Sequence, residues 1–276
     1  MRFCLPFCLI FGSSPSVFVY GLRSSSSVFY GLRSSSSLHL SSKDNVVPSN
    51  SILKREYEDR LFQNGYNYII GTDEAGRGPL AGPVVAAACC CPSHLQHKLI
   101  EKVNDSKLLS EKKRNEIYEL IMNDNSILKA VTIIDNDKID EINILKAALL
   151  AMELSIEKVT KQIQNSENDK ICALVDGNKA VRGLPFKVIP VVRGDKLVYS
   201  IALASIIAKV ERDRIMTQMH EIYPQYNFAQ HKGYPTKDHF LLLHQYGPSP
   251  IHRKSTKPVQ RILYNKNDDS NNDDDR

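Results

Sequence analysis

Five short apolar runs constrain the fold of this chain more than any other feature of its sequence. They contain many β-branched residues and have the length of β-strands. The runs are 66–72, 84–91, 127–134, 171–175 and 186–192. The first three are not separated by long crossover connections, which favours antiparallel pairing, whereas the later runs alternate with helical segments, which favours parallel addition to the same sheet. The sequence therefore predicts a mixed α/β sheet.

Helical periodicity accounts for much of the chain between and after these runs. The predicted helices are 110–122, 140–163, 200–219 and 236–246. Ser110 can cap the first helix, because its hydroxyl can accept a backbone N–H of the first turn. Gly247 and Pro248 should end the last one. We therefore expect helices to flank the sheet, with a small helical appendix after Met219.

The two ends of the chain have compositions that do not predict a fold. Residues 1–43 contain four Lys or Arg residues, many serines, a near-duplicated segment and no acidic residue, which is typical of an organellar transit peptide. We expect a disordered presequence at 1–50 and a plastid or mitochondrial location, with the cytoplasm or nucleus as the alternative. The apolar run 3–11 could instead belong to a secretory signal or a two-part plastid signal. Residues 265–276, rich in Asp and Asn, predict a disordered acidic tail.

Composition excludes several classes of protein. The chain has 276 residues, of which 42% are hydrophobic, and it lacks an apolar run of the length that a membrane-spanning helix needs. Its six cysteines do not make a disulfide scaffold in a chain of this length, and the adjacent Cys89, Cys90 and Cys91 fit a buried strand better than a zinc site. The net charge of +5 is compatible with a nucleic-acid partner but does not demand one.

Four acidic residues lie at or just beyond the ends of predicted strands. Asp73 and Glu74 follow the first strand, Asp176 follows the fourth, and Asp195 comes shortly after the fifth. Converging carboxylates repel one another and raise one another's pKa values unless a cation neutralises them. Oxygen ligands suit Mg²⁺ or Mn²⁺, and two such ions about 4 Å apart would stabilise the attacking and leaving oxygens of a phosphoryl displacement. The pattern favours a metal-dependent phosphotransfer enzyme.

Each of these acids has a simpler interpretation when it is taken alone. An acidic residue after a strand often caps the next helix or turn. Adjacent strand residues also point to opposite faces, so Asp73 and Glu74 can converge only if the strand ends between them. The glycine-rich segment that follows favours such an ending.

That segment, 76–83, reads Gly-Arg-Gly-Pro-Leu-Ala-Gly-Pro. Two glycines flank Arg77, so backbone groups can approach a ligand without interference from a Cβ atom, and the guanidinium suits a phosphate. A plain glycine-rich turn is the alternative. The sequence contains neither a Gly-Lys-Ser/Thr phosphate loop nor a strand-linked dinucleotide fingerprint.

A series of motifs in a fixed order extends this pattern along most of the chain. They are Gly71-Thr-Asp-Glu-Ala-Gly-Arg-Gly-Pro-Leu-Ala-Gly-Pro-Val84, Asp105-Ser-Lys107, Val175-Asp-Gly-Asn178, Gly194-Asp195, Ala204-Ser-Ile-Ile-Ala-Lys-Val-x-Arg-Asp213, His231-Lys-Gly-Tyr-Pro-Thr-Lys237 and Pro248-Ser-Pro-Ile-His-Arg-Lys254. The set resembles the type 2 ribonucleases H, specifically the bacterial-type ribonuclease HII, over 66–258. The resemblance implies a ribonuclease H-like mixed five-stranded sheet flanked by helices, with a catalytic core at 66–225 and a small C-terminal helical extension that binds substrate at 226–264.

The resemblance also implies the catalytic residues. Asp73, Glu74, Asp176 and Asp195 would be the carboxylates that bind two catalytic divalent ions, Mg²⁺ or Mn²⁺. Asp213 is the alternative to the fourth of them. The family's fourth carboxylate belongs to a Gly-Asp pair after a short strand, which corresponds to Asp195 and not to the helical Asp213.

The same resemblance implies how substrate is recognised. Backbone groups of Gly76, Arg77 and Gly78 would read a ribose 2′-OH, and Tyr234 would stack on the sugar of the next nucleotide. The expected activity is cleavage of the RNA strand of RNA–DNA hybrids and incision 5′ to single ribonucleotides in duplex DNA, leaving 3′-OH and 5′-phosphate ends. The family commonly has glycine where Pro235 stands, so we expect a stiffer loop here.

The expected partners are RNA–DNA hybrids and ribonucleotide-containing duplex DNA, bound by a monomer that does not engage a membrane. Four basic residues are predicted to contact phosphates, although each alone also fits a solvated surface charge: Lys107, Lys209, Lys232 and Arg253. Two other functions are compatible with such a fold: a non-catalytic binding subunit and a two-metal nuclease such as a resolvase. The complete carboxylate set argues against the first, and the Gly-Arg-Gly segment argues against the second.

Overall fold

The computed structural model describes residues 55–91, 109–163 and 169–270, with side chains up to Tyr264. Three predictions fall outside the described residues. They are the presequence at 1–50, the phosphate contact of Lys107 and the last part of the acidic tail, 271–276. These stay predictions, as does the organellar location that depends on the presequence.

Five strands form one mixed sheet in the order β3-β2-β1-β4-β5. The strands are β1 (Tyr68–Ala75), β2 (Val84–Cys90), β3 (Leu128–Ile134), β4 (Ile171–Asp176) and β5 (Lys187–Val191). β2 pairs antiparallel with both β1 and β3, whereas β4 pairs parallel with both β1 and β5. The predicted order of antiparallel and parallel pairing is confirmed. Because β1 and β4 are parallel neighbours, their carboxyl ends meet at one edge of the sheet.

Helices make up most of the remaining described chain. They are α1 (Glu56–Gln63), α2 (Glu111–Asn123), α3 (Asn136–Ile142), α4 (Ile144–Thr160), α5 (Gly194–Leu197), α6 (Tyr199–Ile222), α7 (Phe228–His231), α8 (Lys237–Tyr246) and α9 (Lys257–Ser270). The Ser110 cap is confirmed, since its hydroxyl accepts the N–H of Lys113. The single helix predicted over 140–163 is wrong. Asn143, with φ of 70°, breaks it into α3 and α4, and its side chain caps α4 by accepting the N–H of Lys146.

Helices cover both faces of the sheet. Every residue of β2 is buried, and alternate side chains point to opposite faces of the sheet. Val85 packs in a hydrophobic cluster with α6 on one face, and Val84 packs in a second cluster with α4 on the other. The adjacent cysteines 89–91 are free, buried thiols, as the strand interpretation predicts. α6 lies so close to β1 that a Cβ atom on Gly71 would be 2.4 Å from the backbone nitrogen of Ile201. This close packing places α6 directly against the strand that carries the first two acids.

The C-terminal extension is helical and packs back on α6. A short 3-10 helix (Pro224–Tyr226) leads into α7, α8 and α9. Tyr226 and Phe228 stack with ring centroids 5.3 Å apart, and with Met216 of α6 they form a small second core. α9 includes 265–270, so the first part of the segment predicted to be a disordered tail is helical. None of the described helices is long and apolar enough to cross a membrane.

Candidate active site

Two adjacent acidic residues, Asp73 and Glu74, lie inside β1. The strand continues to Ala75, and both residues keep their antiparallel partners on β2, Ala87 and Ala86. The expectation that the strand ends between the two acids is therefore wrong. Both nevertheless line the same cleft. Oδ1 of Asp73 accepts the backbone N–H of Glu74, the next residue, at 2.7 Å.

A second pair of acids, Asp176 and Asp195, is brought together by the turn between β5 and α5. Asp176 is the last residue of β4, and its Oδ1 accepts the backbone N–H of Gly194 at 2.7 Å. Gly194 begins α5, and the buried Asp195 follows it directly. A Cβ atom on Gly194 would lie 2.6 Å from Cδ1 of Ile201 and 3.2 Å from Oδ1 of Asp176, so a larger residue would crowd both side chains. The hydrogen bond therefore fixes the turn that carries Asp195 next to Asp176.

Burial and mutual repulsion raise the pKa values of three of these carboxyl groups. Burial, and then the charges of Glu74 and Asp176, raise the pKa of Asp73 well above its usual value. Burial and then Asp195 raise the pKa of Asp176. Burial also raises the pKa of Glu74, although Arg77, at 3.2 Å, partly offsets the effect. The four carboxylates thus form one electrostatically coupled group, as converging acids are expected to do.

This coupled group fits a divalent cation by its chemistry. Its donors are carboxylate oxygens, which Mg²⁺ and Mn²⁺ prefer, and a cation would relieve the repulsion that raises the pKa values. Within the ranges that the structure describes, no three His, Cys, Asp or Glu side chains are already spaced as a metal site. The fold therefore places the four carboxylates near one edge of the sheet, but their side chains do not yet have the spacing of metal ligands.

A cleft of about 240 Å³ joins the acidic end of β1 to residues 76–83, which we call the glycine loop. The lining residues are Asp73, Glu74, Ala75, Gly76, Arg77, Gly78, Arg114, Ser205, Lys209 and Tyr234. Gly76 has φ of +100°, and a Cβ atom there would lie 2.2 Å from Nε of Arg212, so only glycine fits. The Tyr234 ring lies beside Gly78, with Cε1 3.7 Å from the place that a Cβ atom on Gly78 would occupy.

Arg253 is a structural residue of the glycine loop, and its prediction as a phosphate contact is wrong. The residue is 1% exposed, and its guanidinium donates to five backbone carbonyls. They belong to Gly76 (2.6 Å), Arg77 (3.2 Å), Pro79 (2.9 Å), Gly82 (2.9 Å) and Pro83 (3.1 Å). The equally buried Arg212 donates to the carbonyls of Ala81, Pro83 and Lys232. Two arginine side chains thus fix the path of the loop.

The other two described residues predicted to contact phosphates have different surroundings. Lys209 lines the cleft, and its Nζ lies 5.6 Å from the centroid of the Tyr234 ring. Lys232 donates from Nζ to Oγ1 of Thr217 at 2.9 Å and does not line the cleft. Of these two, Lys209 is the better placed to meet a bound backbone.

Asp213 lies apart from the coupled carboxylates. Its Oδ1 accepts a hydrogen bond from Nζ of Lys209 at 2.7 Å, and its Oδ2 lies 3.9 Å from Arg114. Asp195, in contrast, directly follows the residue that donates to Asp176 and contributes to its raised pKa. The geometry therefore favours Asp195 over Asp213 as the fourth member of the site.

Two polar residues of the cleft were not predicted as site residues from the sequence. Ser205 of α6 hydrogen-bonds to Asp73. The sequence signal for this contact is a serine among the alanines of the helix. Arg114 of α2 lines the cleft and donates to the carbonyl of Leu109 at 2.9 Å. Nothing in its local pattern separates this arginine from one on a solvated helix surface.

Comparison with known proteins identifies a family that the sequence matches over most of the described residues. The family model for Ribonuclease HII matches residues 70–259. The Ribonuclease HII of Caldanaerobacter subterraneus subsp. tengcongensis is 47% identical over 207 residues, which cover 75% of this chain and 80% of that protein. The Ribonuclease HII of Acholeplasma laidlawii is 46% identical, with 75% and 96% covered, and that of Chlamydia muridarum is 44% identical, with 76% and 91% covered.

Solved structures show the same architecture. Ribonuclease H2 from Pyrococcus horikoshii OT3 aligns with a TM-score of 0.54 and 24% identity, over 72% of this chain and 98% of that chain. A chain of the PCNA:RNase HII complex from Archaeoglobus fulgidus gives 0.55 and 23%, over 70% and 96%. Bst-RNase HIII in complex with Mn²⁺ gives 0.55 and 20%, over 71% and 69%. These likenesses confirm the predicted ribonuclease H-like fold.

Proposed function

This chain belongs to the ribonuclease HII family, and from that premise we propose that it both cleaves the RNA strand of RNA–DNA hybrids and incises duplex DNA 5′ to a single embedded ribonucleotide. It is a ribonuclease H, an endonucleolytic hydrolase. The observation that carries the finer proposal is one cleft that unites the acids of β1, the backbone of Gly76–Gly78 and the Tyr234 ring. Cleavage would leave 3′-OH and 5′-phosphate ends.

The coupled carboxylate group would hold two divalent cations, Mg²⁺ or Mn²⁺, on Asp73 and Glu74, which line the cleft, and on Asp176 and Asp195. When bound, such ions activate water and stabilise the leaving 3′ oxygen. The chain contributes orientation, because backbone N–H groups already hold one oxygen of Asp73 and one of Asp176. Bst-RNase HIII, which shares the fold, has been solved in complex with Mn²⁺, which supports this type of ion.

The glycine loop and the Tyr234 ring would recognise the junction between ribose and deoxyribose. Arg253 holds the carbonyls of Gly76 and Arg77, so the peptide planes of the loop are set before substrate binds. Because these backbone groups are already ordered, binding a 2′-OH costs little further conformational entropy. DNA lacks this hydroxyl, so it cannot make the same contacts. The tyrosine ring, beside Gly78, presents a flat face that accepts a deoxyribose and crowds a second 2′-OH.

The direct test uses the full chain on two 5′-labelled duplexes, one entirely DNA and one with a single embedded ribonucleotide. We expect cleavage of the second duplex only, 5′ to the ribonucleotide, with Mg²⁺ or Mn²⁺ and not with EDTA. Product ends are identified by their mobility against markers and by ligation. Binding of the ribonucleotide duplex without cleavage in either cation would overturn the proposal and favour a non-catalytic binding subunit.

A matched pair of variants separates Asp195 from Asp213. Asp195→Asn should lower the single-turnover cleavage rate by about two to three orders of magnitude, because it removes a charge from the coupled carboxylate group. Asp213→Asn should stay within about tenfold of wild type, because that carboxylate pairs with Lys209. Rates are measured at saturating enzyme, with folding checked by circular dichroism. Equal losses in the two variants would contradict the assignment.

A further inference from the structure

Two fully buried histidines, His239 and His252, lie beside residues 232–236, which we call the tyrosine loop. Their Nε2 atoms are 3.0 Å apart, so they share one hydrogen bond. Neither lines the cleft, and neither takes part in the proposed chemistry. Because both rings are buried, their nitrogen atoms depend on protein partners, and those partners determine where the protons lie.

One proton arrangement satisfies both rings. Nδ1 of His252 accepts the backbone N–H of Ser249 at 2.9 Å, so a neutral His252 carries its proton on Nε2. Nδ1 of His239 lies 2.9 Å from the carbonyl of Tyr234, which can only accept, so His239 carries its proton on Nδ1. It follows that Nε2–H of His252 donates to Nε2 of His239. The tautomers are assigned from the hydrogen-bond partners, because each ring has one partner group whose role as donor or acceptor is fixed.

The resulting chain of hydrogen bonds connects the two loops that would read the substrate. At one end the backbone of His252 forms an antiparallel bridge with Ala81 of the glycine loop. At the other end His239 donates to the Tyr234 carbonyl, which also accepts the N–H of Thr236 at 2.8 Å. Two other connections between the loops end at the neighbouring residues. The Leu80 N–H donates to the Gly233 carbonyl at 2.8 Å. Arg212 donates to the carbonyls of Ala81 and Lys232. The two imidazoles add the hydrogen bond that holds the carbonyl of Tyr234 itself.

Burial keeps both imidazoles of this connection neutral. The ring of Phe228 lies 5.7 Å from each imidazole, and burial lowers the pKa of His239 to about 4 and that of His252 to about 3. The same proton arrangement therefore persists at neutral pH. The pair is a fixed structural connection, unlike a histidine switch, which titrates near pH 6 to 7.

We propose that His239 and His252 are positioning residues that set the Tyr234 ring against the glycine loop, and thereby set the preference for a ribo-to-deoxyribo junction over a continuous RNA–DNA hybrid. The inference rests on the proposed function, because only an enzyme that applies the two loops to neighbouring sugars is sensitive to their spacing. The ring is in van der Waals reach of the Gly78 position, so a small displacement changes which sugar fits.

Two substitutions at the same residue test the connection. In His239→Gln the side-chain amide can replace Nε2 but not the Nδ1–H that holds the Tyr234 carbonyl, whereas in His239→Asn the amide can replace Nδ1–H. We measure the ratio of cleavage rates on a single-ribonucleotide duplex and on an all-RNA hybrid. The ratio should fall about threefold to tenfold in the Gln variant, as expected for one lost hydrogen bond, and less in the Asn variant. His244→Gln, at an exposed histidine of α8, is the control and should not change it.

A double variant, His239→Gln with Tyr234→Ala, distinguishes an effect on the position of the Tyr234 ring from a general loss of structure or activity. In that background His239→Gln should leave the ratio unchanged, because the ring whose position it alters is gone. A ratio that is unaltered in His239→Gln, or that falls equally with and without the Tyr234 ring, would overturn the inference. If His239→Gln does not fold, His252→Asn, which removes the Nε2–H donor, takes its place with the same expected result.

Hydrogen exchange provides a readout that does not depend on cleavage. The Thr236 amide, bonded to the Tyr234 carbonyl, should exchange faster in His239→Gln than in wild type or His239→Asn. Unchanged exchange in His239→Gln would overturn the positioning role even in an active enzyme. Faster exchange in a protein that does not cut the ribonucleotide duplex would show that the connection exists and that the proposed function has failed.

Discussion

Replacing Asp73 with asparagine should abolish cleavage and also raise the melting temperature of the cation-free protein. Asparagine keeps the shape of the side chain and an Oδ1 that can accept the N–H of Glu74, but it removes the negative charge. The loss of activity follows because that charge would help to hold a divalent cation. We expect the cleavage rate to fall by about a thousandfold or more, since several kcal/mol of transition-state stabilisation are lost.

The gain in stability follows from the sign of the pKa shift. Burial, Glu74 and Asp176 raise the pKa of Asp73 in the folded protein, so the folded state binds this proton more tightly than the unfolded state. The stability contributed by such a group is full below its unfolded pKa and is lost as the pH rises through the folded pKa. Above that range the ionised carboxylate disfavours the folded state. Asparagine removes this penalty, and the melting temperature should rise by roughly 3–6 °C at neutral pH.

Thermal melts of wild type and Asp73→Asn in EDTA, from acid to neutral pH, check this expectation. The difference between the two proteins should shrink as the pH falls, because wild-type Asp73 is then protonated. Added Mg²⁺ should stabilise wild type more than the variant, since a ligand that binds the folded state stabilises it. Asp213→Asn is the matched control and should not gain stability, because Asp213 is paired with Lys209. A lower melting temperature for Asp73→Asn in EDTA at neutral pH would contradict the argument.

The strands and the acids at their ends were predictable because both leave local signals in the sequence. The uninterrupted apolar run of β2 predicts a strand buried on both faces, and the structure confirms it. The break at Asn143 was not predictable from periodicity, because apolar residues continue with helical spacing on both sides of it. The one local signal for this break is the residue type, since asparagine tolerates a positive φ better than most residues.

The roles of Arg253 and the buried histidines could not be predicted, because their partners are mainly backbone groups. Every residue has a carbonyl, so the sequence does not mark which carbonyls a side chain will meet. Arg253 also bonds to Gly82, 171 positions away in the chain, and only the folded structure brings them together. From the sequence alone, a basic residue in a motif of a nucleic-acid enzyme therefore predicts a phosphate contact.

Arg253→Met should destabilise the protein strongly without changing the salt dependence of duplex binding. The substitution removes the hydrogen bonds from Arg253 to five loop carbonyls, of which only that of Pro83 keeps a second arginine donor, Arg212. We expect the free energy of unfolding to fall by about 3–5 kcal/mol. Cleavage should also weaken, because the glycine loop loses the side chain that sets its peptide planes. Arg253→Lys, which keeps a charge and some donors, should lose less stability.

Salt titrations distinguish this structural role from a phosphate contact. Loss of one phosphate contact reduces the slope of log K against log salt by about 1. Lys209→Met, which removes a charge from the cleft, should show that reduction with a small change in stability, whereas Arg253→Met should show the opposite pattern. Binding is measured at a temperature well below the melting transition of Arg253→Met, so that both variants are folded. A reduced slope with unchanged stability for Arg253→Met would mean that its guanidinium leaves the loop carbonyls and meets a phosphate when the duplex binds.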